Sequence, residues 1–219
     1  MTAPTTPAPH RRDGEGTRQK LLRAALELFT GEGFLASTTP LLAERAGVAE
    51  GTIYRHFTSK EHLLNEVYRG TQRWAVGVVR EIDTDRSLKA PERLNRIARR
   101  FIETAERDPA GARMLLRQRD AQYLDPPSRD AAKEFRAAVQ QVVAAGKADG
   151  MVRPGPAELW TSVWLVVLGF VIERVAAKEW TPDQPQVGQA LEAAWSAIAA
   201  PAQQAPGSTS APAGPAAAG

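Results

Sequence analysis

The chain has 219 residues, 43% hydrophobic and 24% charged, with three histidines and no cysteine. That composition suits a folded globular protein of one domain, or of a small and a larger one, and excludes a disulfide framework, a cysteine zinc site and a thiol nucleophile. Net charge is only +3, and residues 1–75 hold ten Lys/Arg against eight Asp/Glu, so charge alone announces no nucleic-acid binder.

Residues 1–16, MTAPTTPAPHRRDGEG, are too rich in proline, glycine and small side chains to bury an ordering surface, and are expected as a disordered arm. Arg11 and Arg12 could touch DNA phosphates or simply be solvated. The arm lacks the apolar stretch of a signal peptide, which points to a cytoplasmic protein. From Thr17 a helix is predicted, with Leu22, Ala25 and Phe29 at helical spacing, ending near Gly31 to Gly33. Phe34 reads as core.

The stretch Thr38 to Phe57, TTPLLAERAGVAEGTIYRHF, reads as two short helices around a tight turn, the layout of a DNA-reading helix-turn-helix. Thr38 can cap the first helix, with Pro40 in its first turn. Gly47 can take the left-handed conformation that ends it, and Val48 then plugs the corner. The second helix spans about Glu50 to His56. Ile53 and Phe57 form its buried side, leaving Thr52, Arg55 and His56 outside. Gly51 lets the backbone approach a groove wall, and Arg55 can reach guanine O6 and N7 or a phosphate.

Thr58-Ser59-Lys60-Glu61 reads as a capping box opening a new helix, with Leu63, Leu64 and Val67 as core and the pattern continuing through Trp74, Val78 and Ile82. Lys60 would lie near the DNA backbone or be solvated. Pro91 to about Arg107 is the next helix, with Leu94, Ile97, Phe101 and Ile102 inward and Arg93, Arg96 and Arg100 on a solvated face. Asp108-Pro109 opens another, carrying Met114, Leu115 and Leu116. Ser128 to about Asp149 is helical again. Leu159 to Ile172 is the most apolar run, and its fourteen residues are too few for a bilayer of about 30 Å, so a buried helix and no membrane association are expected. An amphipathic helix follows near Gln186 to Ala200. From Pro201 onward (201–219) the tail is expected to be disordered.

On these residues the stretch from Thr17 to Gly70 resembles the DNA-binding domain of the TetR family of bacterial transcriptional regulators. The resemblance is carried by LLRAALELF at Leu21 to Phe29, Gly33-Phe34, TTPLLAERAGV at Thr38 to Val48, GTIYRHF at Gly51 to Phe57, and SKEHLL at Ser59 to Leu64. Ala49 stands where the family commonly has a serine cap, and Glu50 where it often has lysine. The resemblance implies that Thr38, Thr52, Tyr54, His56 and Lys60 contact double-stranded operator DNA; Thr39, Gly51 and Arg55 complete the candidate set. The expected fold is all-α, with a three-helix DNA-binding domain (17–70) joined by a connecting helix to a larger ligand-binding and dimerisation domain (71–200).

Two further expectations concern that larger domain. The apolar run and the last helix would supply a homodimer's four-helix interface through Trp160, Trp164, Val167, Leu168, Val171, Leu191, Trp195 and Ile198. The resemblance implies a small, largely apolar effector whose binding releases DNA, with Phe101, Met114, Tyr123, Phe135, Trp160 and Trp164 as candidate lining or plain core. A homodimeric repressor is the leading reading; a ligand-dependent activator, a non-specific DNA binder and a helical interaction module remain as alternatives. An enzyme would have to use Glu103, Glu106, Asp120 and Asp125, which show no paired arrangement. No cofactor and no metal site are called for, since His10, His56 and His62 form no ligand set.

Overall fold

The computed structural model describes residues 10–116 and 121–201. Residues 1–9 of the expected arm, the side chains of His10, Arg11 and Arg12, Asp120, and the tail from 202 lie outside the described residues. The described chain forms helices α1 (His10–Gly31), α2 (Thr39–Ala46), α3 (Glu50–His56), α4 (Lys60–Asp83), α5 (Ala90–Arg107), α6 (Pro109–Leu115), α7 (Pro126–Ala148), α8 (Ala157–Ala176) and α9 (Pro185–Ile198), with a short 3-10 turn at Ala121–Tyr123. Helix α1 therefore begins inside the stretch expected as an arm, continuing through Gly14 and Gly16.

The caps explain most boundaries. Thr38 Oγ1 accepts from the Leu41 N–H, and Gly47 closes α2 at φ 66°, with the Val48 N–H donating to the Ala43 carbonyl. Helix α4 is capped by Ser59, whose hydroxyl accepts from the His62 N–H at 3.1 Å. The cap expected at Thr58 is thus shifted by one residue, and Glu61 does not complete a box with it. His62 Nδ1 instead accepts from the Thr58 N–H, one residue before the cap, at 3.2 Å. Helix α7 starts at Pro126, two residues before the expected Ser128, because Asp125 accepts from the Ser128 N–H and two prolines fit its first turn.

Two apolar cores form. The N-terminal one gathers Leu21, Leu28, Phe29, Phe34, Leu42, Ile53, Phe57 and Leu63, together with Met114 and Leu124 from beyond α4. The larger one joins α4, α5, α7, α8 and α9 around Phe101, Phe135, Trp164, Leu168 and Leu191. Each such large side chain taken out of water contributes roughly 1.5 to 3 kcal/mol before conformational entropy is counted. Helix α8 has twenty residues, more than the fourteen expected, and by length and composition could cross a bilayer. Thr161, Trp164, Leu165, Leu168, Val171, Ile172 and Val175 are nevertheless buried against its neighbours, which makes it the spine of the larger core.

Charge at the α4–α5 corner corrects another expectation. Arg93 is 4% exposed and ion-paired to Asp83 at the end of α4, so it is not solvated; the turn folds that carboxylate back over the helix face. Arg96 reaches Asp85 at 3.9 Å and Arg100 reaches Glu81 at 3.6 Å, both exposed, pairs of little net value in water.

Helices α5 and α7 approach closely at Gly146, where a Cβ would lie 2.6 Å from that of Ala90. Gly146→Val should therefore lower stability by about 1 to 3 kcal/mol in urea unfolding, since one helix must move. Gly77→Ala on α4, where a Cβ meets nothing within 4 Å, should instead raise it by about 0.5 to 1 kcal/mol.

Candidate nucleic-acid interface

Helix α3 is held from behind by Ile53 and by Phe57 just past its end, each at most 2% exposed, against the α1, α2 and α4 core. With those two facing inward, the helical period turns Gly51, Tyr54 and Arg55 outward, and all three are exposed, with Thr52 and His56 half-buried beside them. Tyr54 is 58% exposed. A Cβ at Gly51 would meet nothing, so its lack of a side chain serves no packing inside the protein. Thr38 is exposed and Thr39 half-buried at the start of α2. Seven of the eight candidate contact residues are thus exposed or half-buried on α3 and at the N-terminus of α2.

Lys60 does not join them. Its ammonium donates to the Phe34 carbonyl at 2.8 Å and the Ser37 carbonyl at 3.0 Å and lies 4.4 Å from the Phe34 ring centroid. It pins the α1–α2 connection to the head of α4. Lys60 is therefore not freely solvated. Arg55 makes no hydrogen bond or ion pair among the described residues, which leaves its guanidinium available. Helix α3 has no side-chain cap at Ala49, as the sequence suggested, and Glu50 in its first turn complements the helix dipole instead.

Behind this surface, α4 carries three polar side chains that hold the α6–α7 region. Asn65, 3% exposed, donates to the Glu61 and Tyr123 carbonyls at 2.8 and 2.9 Å and accepts from the Asp125 N–H at 2.9 Å. Arg69 pairs with Asp125 at 2.7 Å and with Glu66, and Glu66 also pairs with Arg18 of α1. The Arg69 hydrogen bond holds the Glu66 carboxyl below its ordinary range against the opposing effect of burial; this contact supports the fold above that range and is lost as pH falls through the depressed value. Gln72, 1% exposed, donates to the Leu115 carbonyl at 3.0 Å.

A cavity of 460 Å³ opens between α4, α6, α7 and α8, with Tyr68, Gln72, Leu115, Phe135, Arg136 and Leu165 among its walls. Of the six lining candidates only Phe135 belongs to it. Met114 and Tyr123 instead complete the N-terminal core, Tyr123 stacking on Phe34 with centroids 4.6 Å apart. Phe101 packs between Trp74 and Phe135. Trp164 fills the α5–α9 side of α8, and Trp160 sits against Gly155 below Arg153. Tyr68, Gln72 and Arg136 were missed. The signal for Gln72 was a polar residue inside the apolar repeat Leu64, Tyr68, Gln72, Ala75, Val79; Arg136 carried none.

The proposed interface residues need a similar correction. Trp164, Leu168, Val171, Leu191 and Ile198 are buried within the chain's own core, leaving Trp160, Val167 and Trp195 half-buried. The apolar stripe that α8 presents to solvent is Leu159, Val166 and Phe170, with half-buried Val163 between them. A helix apolar on every side carries no periodicity to say which face points out.

A helix-turn-helix reader joined through one long helix to a helical domain containing a cavity defines a two-domain DNA-binding transcriptional regulator. The chain belongs to the TetR family: residues 21–67 match the profile described as bacterial regulatory proteins, tetR family. Over 157 residues it is 32% identical to the HTH-type transcriptional repressor KstR2 of Mycolicibacterium smegmatis, covering 69% of this chain and 73% of that one. Over 142 residues it is 31% identical to KstR2 of Mycobacterium tuberculosis, covering 63% and 70%. A TetR family transcription regulator from Marinobacter aquaeolei shares the fold at a TM-score of 0.74 and 19% identity, over 87% of this chain and 100% of that one.

Lys60→Met should lower stability by about 1 to 3 kcal/mol in urea unfolding, through loss of two charge-assisted hydrogen bonds. The salt slope of DNA binding should stay unchanged; a slope shallower by about 1 would place Lys60 on a phosphate instead.

Proposed function

We propose that this chain is a homodimeric, cytoplasmic repressor that reads a palindromic operator through α3 and the head of α2, and is released by a small, largely apolar ligand. The observation carrying this reading is the single helix α4. Its first turns share the core behind the reading helix through Leu63 and Leu64, and its middle, at Tyr68 and Gln72, forms a wall of the cavity. A ligand that shifts α4 shifts the reader with it. Coupling of this kind is worth about 1 to 3 kcal/mol, roughly 5- to 150-fold in affinity. The repressor assignment follows the KstR2 relatives, which bear that description.

Two copies would pair along the Leu159, Val163, Val166 and Phe170 stripe, and reading successive turns of a palindromic site requires their reading helices about 34 to 36 Å apart. One copy alone would bind weakly. Tyr54 would donate to a phosphate, fixing register, while Arg55 reads a base edge.

The direct test is fluorescence anisotropy with the DNA upstream of the protein's own gene beside a scrambled control, over a salt series. Preference for the upstream DNA supports the reading; equal, steeply salt-dependent binding to both contradicts it. Arg55→Ala should cost about 1 to 3 kcal/mol on the preferred DNA and flatten the preference, whereas Tyr54→Phe should weaken both probes alike. Val166 is 72% exposed, so Val166→Asp should leave the fold intact and yield a monomer in sedimentation analysis. A dimer of unchanged strength would place the interface elsewhere.

A further inference from the structure

The cavity beside α4 holds polar groups that the protein leaves unused. Gln72 spends its amide N–H on the Leu115 carbonyl, but its Oε1 is buried and has no partner among the described residues. A buried carbonyl oxygen without a donor is rare in folded proteins and costs stability. Arg136, on α7 across the same cavity, is exposed and forms no hydrogen bond or ion pair among the described residues. The walls also carry Leu115, Leu116, Phe135, Leu165 and Val166, which offer apolar surface, and Ser162, whose hydroxyl already donates to the Glu158 carbonyl. Tyr68 adds a hydroxyl whose ionisation burial pushes up, against the pull of Arg136, so it stays protonated.

A second, separate space of 780 Å³ borders the first at Leu116 and Gly169 and extends to Gly31 and Arg113. A Cβ at Gly169 would stand 3.1 Å from Leu116 Cδ1, so these two residues pack together between the spaces.

We infer that the cavity takes an amphipathic carboxylate, with its acid group at Arg136, its apolar body along Phe135 and Leu165, and a hydroxyl or amide N–H donating to Gln72 Oε1. This rests on the ligand-release reading and adds the chemistry of the ligand. Each group has one task. The guanidinium selects charge at the mouth, while the glutamine oxygen selects a donor in the interior, where a ligand lacking one leaves the oxygen unpaired. Because Gln72 sits on α4, filling its oxygen acts on the helix that carries the reader.

The test uses the full chain with ω-hydroxylaurate, laurate and lauryl alcohol, and the same trio at caprylate length, binding being read by calorimetry. The hydroxy acid should bind about 2- to 10-fold more tightly than the plain acid at one of the two lengths, and the acid about 10-fold more tightly than the alcohol. Gln72→Met should erase the first preference and keep the second. Arg136→Gln, a surface change that leaves the core untouched, should do the reverse. Equal binding of all three probes, no binding at either length, or a hydroxyl preference that survives Gln72→Met overturns the inference and assigns the oxygen to water. The same titrations are followed with operator DNA present. Probes that bind with both preferences yet leave DNA bound defeat the ligand-release reading while the pocket chemistry stands.

Discussion

The structure depends on how one buried amide is satisfied. Asn65 sits in the apolar face of α4, where an unpaired polar group would cost about 1 to 3 kcal/mol. Its carbonyl oxygen and both amide hydrogens nevertheless find partners: the Glu61 carbonyl, the Tyr123 carbonyl and the Asp125 N–H. Three partners fixed in space leave that side chain a single arrangement. With Asn65 fixed, the chain at 123–125 is fixed against α4, Asp125 is placed to cap α7 and to pair with Arg69, and Tyr123 is set on Phe34. The α6–α7 connection is thereby fastened to the helix at more than one level, with Gln72 holding Leu115 one turn and more further along.

The division into a DNA-binding part and a larger helical part is consequently less sharp in space than in sequence. Met114 and Leu124 belong to the N-terminal core although they lie well beyond residue 70, and α4 runs through that position without a break. Arg23 of α1 also reaches Asp108, the residue that caps α6. Packed side chains and an ion pair thus join α6 to the DNA-binding part, and α4 itself connects the two parts.

What could be read beforehand follows from how local the determining forces are. Thr38, Gly47 and the pair Ile53 and Phe57 act through neighbours a few residues away, so caps and helical spacing placed the helix-turn-helix closely. Register was harder where competing groups were adjacent: Thr58 and Ser59 can each cap a helix, and the cap falls on Ser59. Long-range choices left no local trace. Nothing near Lys60 says that two carbonyls more than twenty residues earlier will accept its hydrogen bonds, and nothing near Arg93 says that Asp83 will pair with it. The same holds for α8. When every face is apolar, the neighbours decide which residues turn outward, and the outward stripe lies one residue away from the positions the sequence favoured.

Helix α3 has seven residues and no side-chain cap. Isolated helices of that length do not persist in water, so its order is borrowed from Ile53, Phe57 and the core behind them. The surface offered to DNA is therefore only as rigid as the packing underneath. Substitutions at Leu42 or Phe57, which meet no nucleotide, would alter how much ordering remains to be done when DNA arrives. DNA affinity in such a molecule can drift over evolutionary time through its interior, while every residue on the exposed face of α3 stays the same.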